Sequence, residues 1–330
     1  MTEPQDTALN AQPRQFVDAD AAGASLTPMP LSARHEPFID VLRAVAVLLV
    51  VGWHYFSMSP APFIRLPILT PLFSFGQSGV QIFFVISGYL LGGQLIDHRR
   101  EHGAIKTFYI RRVARILPPY AILLAMVAVA FPAADLRAPL TMTQNIVWAL
   151  TGETPARWLV PTWTLAIEEQ FYLLLPAVIF LIRPQKLATV LLAICILSLC
   201  CYALALNAGY PVSAHYLLPC QATGFAFGVL LAKWTRERSG PAWRLPAPSP
   251  LVWLGRRSYA IYLFHVPIAD MSAHLAGRGL PGLALALLGT LGFCALLYVT
   301  FERPILDWAR QRWRYGTPGR QIAWEVAGSR

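Results

Sequence analysis

Two ionisable residues stand inside one apolar stretch. The run Phe38–Phe56, FIDVLRAVAVLLVVGWHYF, carries Arg43 and His54 eleven residues apart. At about 100° per residue, that spacing is three turns and about 20°, so a helix puts both side chains on one face, about 16 Å apart along its axis. An arginine in a hydrophobic span is costly and turns towards a polar interior, where it is functional by default. A histidine on the same face gives or takes a proton near neutral pH. The plain reading has Arg43 snorkelling to the lipid headgroups and His54 as a bonded core residue.

Further groups follow along the chain. Ser87 lies in GVQIFFVISGYLLGG, where a nucleophile would lack a GxSxG elbow and a membrane serine bonds back to its own backbone. Gly88 and Gly92 in the same block have the spacing that lets helices pack closely. Arg111, Arg112 and Arg115 precede an apolar run. They serve as a basic anchor or as guanidinium forks for a phosphorylated ligand, with Arg111 and Arg115 on one face. Pro118 and Pro119 mark a bend into the membrane. Glu168 and Glu169 open another span about 100° apart, so they are no matched acid/base pair, and no second carboxylate set suits glycoside hydrolysis. Tyr259, Tyr262 and His265, at spacings of three, fall on nearly one helix face, and Glu302 closes the last span. Trp148, Glu153, Arg157 and Trp158 lie in the longest outer loop, where tryptophans suit either a sugar-like acceptor or the membrane interface.

The elements that must position these groups are membrane helices. Of 330 residues, 56% are hydrophobic and only 13% charged, against about 25% charged in a soluble domain. The chain reads as an all-α, polytopic transmembrane helix bundle of about eight to ten spans. Eight are expected, at about 38–57, 78–96, 114–132, 164–182, 187–206, 217–234, 251–271 and 281–301, with 139–150 as a short interfacial or re-entrant segment. A disordered tail precedes residue 38, the membrane domain covers 38–304, and a basic tail covers 305–330. With the amino terminus inside, 23 of the 27 Lys and Arg fall in inside segments, so the positive-inside rule places both ends in the cytoplasm. The same rule accounts for the net charge of +10 without nucleic acid. Cys195, Cys200, Cys201, Cys220 and Cys294 have no metal-ligand spacing and read as small buried residues. No metal site is expected, and His215 reads as bland.

These blocks together carry a resemblance. Arg43 with His54, FFVISGYL at 83–90, RRVARILPPY at 111–120, WTLAIEEQFYLLLP at 163–176, SYAIYLFHVP at 258–267 and FERP at 301–304 follow in order. The chain resembles the acyltransferase-3 family of integral membrane O-acyltransferases. The resemblance implies transfer of an acyl group, acetyl foremost, from cytoplasmic acyl-CoA to a hydroxyl of a carbohydrate, glycolipid or exported small molecule. It implies His54 as the base, Arg43 at the thioester or the CoA end, and Glu168 as a residue orienting His54. Arg111, Arg112 and Arg115 would hold CoA phosphates. Tyr259, Tyr262 and His265 would line the interior with Glu302, and Ser87 or His265 would carry the acyl group if a covalent intermediate forms. Family members have about ten spans, and some carry a fused esterase-like domain that has no counterpart in this sequence. That difference leaves room for a separate periplasmic transferase partner. A transporter or flippase also buries Arg, His and Glu, but the sequence lacks repeat symmetry and a long series of membrane carboxylates. A structural scaffold has no need of an Arg and a His on one helix face.

Overall fold

In lipid, an apolar run must satisfy its own backbone, and a helix does so within one segment. A computed structural model describes residues 37–57, 74–153, 156–238 and 248–315, and within them the chain is helical with no strand. Seven helices are long and apolar enough to cross a membrane: α1 (Pro37–Phe56), α2 (Ser78–Asp97), α3 (Ala104–Ala130), α4 (Arg157–Leu181), α5 (Pro184–Asn207), α6 (Pro211–Glu237) and, last in the chain, a helix over Leu280–Arg312. Between α6 and that last helix lies α7 (Ser258–Ala276), 19 residues long; the last is therefore α8. The expected all-α polytopic bundle is thus present, with seven candidate spans among the described residues where eight were expected, α7 falling short of the apolarity of the other seven. The expected amino-terminal tail, most of the 235–250 linker and the end of the carboxy-terminal tail lie outside the described residues.

Three boundaries differ from expectation for physical reasons. Helix α3 begins at Ala104, not near 114, and runs on through Pro118 and Pro119. Prolines are tolerated within membrane helices, and next to this pair Tyr259 on α7 donates to the Ile116 carbonyl oxygen at 2.9 Å. Its 27 residues span about 40 Å, which draws the arginine block into the helix itself. The expected 251–271 span is divided into a short helix, Ser249–Arg256, and α7. At the junction Gly255 sits on the Asp40 carbonyl oxygen, where any Cβ would collide, and Arg256 reaches the Asp40 carboxylate at 3.3 Å. The 139–150 segment forms a helix over Gln144–Thr151, about 12 Å long and too short to cross. Its buried Gln144 and Asn145 donate to the Thr162 and Tyr216 carbonyl oxygens, both at 2.9 Å.

The packing brings α1, α2, α6, α7 and α8 together. Helix α1 packs on α2, on Ser249–Arg256 and on α7, α6 packs on α5 and α2, and α7 packs on α8. Helices α2 and α6 cross at Gly88 and Gly228, each pressed on backbone of the other helix where a Cβ would clash. The expected packing role of Gly88 is therefore met. Phe225 stacks on Phe84 and on Phe171, each pair 4.3 Å between centroids. Cys294 is buried as expected, but Cys200 is exposed, because α5 turns most of its surface outwards. No group of residues among those described could hold a metal ion.

Candidate active site

Among the described residues three helix turns widen beyond the α pattern, and all three touch residues with chemical potential. Wider π turns cover Trp53–Ser57, Gly88–Gly92 and Tyr298–Glu302. The first contains His54, the second follows Ser87, and the third ends on Glu302. Such turns re-aim side chains and recur at functional sites.

A cavity of about 800 Å³, counting its mouth, opens among α1, α2, α3, α4 and α7. Arg43, Arg112 and Arg115 line it, with Ser87, Glu168, Tyr172, Tyr259 and Tyr262. Arg43 lies 3.4 Å from Asp40. The Arg112 Nε is buried with no hydrogen-bond partner among the described residues, as are Oε1 of Glu169 and Oε1 of Glu302. Unpaired buried polar groups beside a cavity call for an explanation. Three guanidinium groups face one space, with Glu168 among the lining residues and Asp40 against Arg43, and such forks match phosphate oxygens.

Arg111 does not join that group. Its Nε donates to the Trp313 carbonyl oxygen at 2.9 Å, and its guanidinium lies 4.7 Å above the Tyr315 ring. The segment after α8 thus occupies the arginine that the spacing pairs with Arg115. Tyr315 also stacks on His98, with centroids 4.2 Å apart, and burial pushes its hydroxyl up to about 12. On the outer loop, Arg137 grips both oxygens of Asp135, and those hydrogen bonds hold that carboxyl down to about 2.

Glu168 makes a compact network. It accepts from the Tyr172 hydroxyl at 2.9 Å and from Ser87 Oγ at 3.3 Å. Ser87 therefore bonds to a carboxylate on another helix instead of to its own backbone. No hydrogen bond joins Glu168 to His54 among the described contacts, so the orienting pair expected from the sequence is not formed. Tyr172, one turn beyond Glu168, was not singled out from the sequence; its i+4 spacing from Glu168 is the signal that points to it.

Two aromatic rings meet in the cavity wall. Phe83 on α2 meets Tyr262 on α7 edge to face, with centroids 5.8 Å apart, and both line the cavity. The Tyr262 hydroxyl donates to the Pro161 carbonyl oxygen at 3.0 Å and shares a 2.7 Å hydrogen bond with Thr164 Oγ1. His54 is not among the lining residues. It packs against His265, with ring centroids 4.7 Å apart.

The two histidines are held alike. His54 Nδ1 lies 2.8 Å from the Val50 carbonyl oxygen, and His265 Nδ1 lies 2.8 Å from that of Tyr262. A carbonyl only accepts, so in both rings the proton sits on Nδ1 and Nε2 keeps its lone pair. His265 is fully buried, and its Nε2 has no partner among the described residues. Tyr55 donates to the His265 carbonyl oxygen at 3.0 Å and bonds Thr290 at 3.1 Å, tying α1, α7 and α8 at this level. Beyond the histidines, Trp158 donates to Asp270 at 2.9 Å and Arg157 pairs with the same carboxylate at 2.8 Å. Trp148 and Trp158 are buried in the bundle, and His215 packs on Trp163.

The arrangement has an arginine-lined end, an aromatic pair and two histidines whose Nε2 atoms keep their lone pairs. Comparison with known proteins bears on what passes between them. The family model described as an acyltransferase domain matches residues 36–248. Similar proteins include the peptidoglycan O-acetyltransferase OatA of Listeria monocytogenes, 30% identical over 173 residues, which covers 44% of this chain and 24% of that protein. The O-acetyltransferase OatA of Staphylococcus aureus is 29% identical over 189 residues, covering 51% of this chain and 29% of that protein. The match thus spans about a quarter of the length of these curated relatives. No solved structure matches the chain.

Proposed function

This chain belongs to the acyltransferase domain family, and on that premise we propose that it is a multipass membrane O-acetyltransferase. The donor in this reading is a cytoplasmic acyl-CoA, acetyl-CoA foremost. The acceptor is a hydroxyl of an envelope carbohydrate, with peptidoglycan the first choice because the Listeria relative is named for it. The membrane is the bacterial cytoplasmic membrane and both ends face the cytoplasm, an orientation supported by the 23 of 27 Lys and Arg in inside segments.

The observation that carries the reading is the division of labour along one face of α1. At its start, Arg43 joins Arg112 and Arg115 in the cavity, a set suited to phosphate groups. At its end, the Nδ1–H of His54 is committed to Val50 and its Nε2 is free to act as a base. An acceptor hydroxyl is a weak nucleophile near neutral pH and needs such a base. His54 Nε2 takes the hydroxyl proton as the oxygen attacks the thioester carbonyl. A C–O bond forms, the C–S bond breaks, and the departing CoA thiolate takes the proton back from the imidazolium. The Glu168 network lies on the cavity side, where it holds Ser87 and Tyr172 in place beside the arginines.

The test is thiol release from acetyl-CoA by the purified protein, with and without solubilised envelope carbohydrate. The wild type is expected to release CoA faster when carbohydrate is added, and His54→Ala to lose that release. A wild type that consumes no acyl-CoA under either condition rejects the transferase reading and favours a transporter.

A further inference from the structure

An aromatic pair in the cavity wall leads towards the histidines. Phe83 and Tyr262 line the arginine cavity, whereas His54 does not. Tyr262 also faces the other way, with its ring 6.1 Å from that of His265, which packs on His54. On α1, Val47 and Val50 fill the face between Arg43 and His54, and both are buried. A line of packed rings thus leads from the cavity to His54, since Phe83 meets Tyr262, Tyr262 meets His265 and His265 meets His54.

The rings are held unequally. Tyr262 is fixed by hydrogen bonds to Pro161 and Thr164. Phe83 is half-buried, has no polar atom to anchor it, and keeps its position by packing alone. Side-chain rotations of this kind are fast. We propose that Phe83 is a specificity-determining residue that limits the size of the acyl group admitted from the arginine-lined cavity to His54, closing against the fixed ring of Tyr262. The proposal rests on the acyltransferase reading above. A two-carbon acyl group needs little displacement of the Phe83 ring. Each added methylene has to find room in a close-packed apolar passage, where extra volume forces side chains from their preferred positions.

The test uses the full-length protein in detergent and compares kcat/KM for thiol release from acetyl-, propionyl- and butyryl-CoA, with solubilised envelope carbohydrate present. Phe83→Ala is expected to raise the butyryl-to-acetyl ratio about tenfold or more, the discrimination a methylene or two commands in an apolar pocket. Phe83→Trp is expected to lower the propionyl-to-acetyl ratio. Because each variant supplies its own acetyl reference, a general loss of activity cancels. If Phe83→Ala does not give monodisperse protein, Phe83→Leu is read instead, with a smaller shift in the same direction. Unchanged ratios in a folded, active variant overturn the role of Phe83 and leave the transferase reading intact. A wild type that consumes none of the three thioesters overturns the transferase reading, and the role of Phe83 falls with it.

Discussion

Helices α5 and α7 are both long enough to span a bilayer, yet they do opposite work. Helix α5 has a mean hydropathy of 2.6, the highest of the seven most apolar helices, and buries only a sixth of its apolar window. Its Leu197 and Leu204 are about two-thirds exposed, and it touches the candidate site nowhere. Helix α7 is not among those seven. It buries nine residues, including Tyr262 and His265, and contributes to the cavity, to the aromatic pair and to the histidine pair. The difference teaches that strong apolarity marks the helix facing lipid, while the span that carries chemistry is diluted by the polar groups that make it useful.

The sharpest way to break the comparison is at the residue α7 supports. His54→Ala is expected to lower acetyl-CoA-dependent transfer by about 10²- to 10⁴-fold, the usual worth of a general base, as read by thiol release. His265→Ala removes the ring against His54. It is expected to lower kcat by about tenfold, the scale of a lost aromatic contact with some misalignment, with KM for acetyl-CoA nearly unchanged. A raised KM with unaltered kcat would place His265 with donor binding instead. Arg112→Gln is expected to do the reverse, raising KM for acetyl-CoA about tenfold through the loss of a charge-assisted contact. Tyr55→Phe cuts the hydroxyl tie among α1, α7 and α8. It is expected to cost about 1 kcal/mol of stability, seen as a lower Tm in detergent. Smallest of all, Leu197→Ala on α5 is expected to change stability by no more than about 0.5 kcal/mol and to leave turnover as it was. A large loss of turnover there would end the contrast between the two helices.

Much of this was legible in the sequence because membrane spans are written in composition. The apolar runs located a helix for every expected span, though α3 begins earlier than its apolar run and the 251–271 run is shared between a short helix and α7. Arg43, Glu168 and Ser87 were picked out without knowledge that they line one cavity or that Glu168 and Ser87 bond each other. What stayed hidden was tertiary. Nothing in the arginine block tells that Arg111 is taken by Trp313 and Tyr315 while Arg112 enters the cavity. The expected Glu168–His54 pair required a distance, and distance between helices is not carried by periodicity. Pro118 and Pro119 were expected at a bend into the membrane and lie inside one continuous 27-residue helix, since membrane helices tolerate proline. Phe83 drew no attention, because an apolar ring among apolar rings differs from its neighbours only by what it faces.

The way the two histidines are tethered gives the protein a built-in reporter. Each neutral ring is committed to carrying hydrogen on Nδ1 by a carbonyl of its own helix, so the two nitrogens of each ring are magnetically distinct. Nitrogen-labelled protein would therefore show two histidine spectra of one tautomer type, set apart from those of solvent-exposed rings. Proton uptake at His54 during turnover would then be visible as a change in a resonance, with no need to know the acceptor.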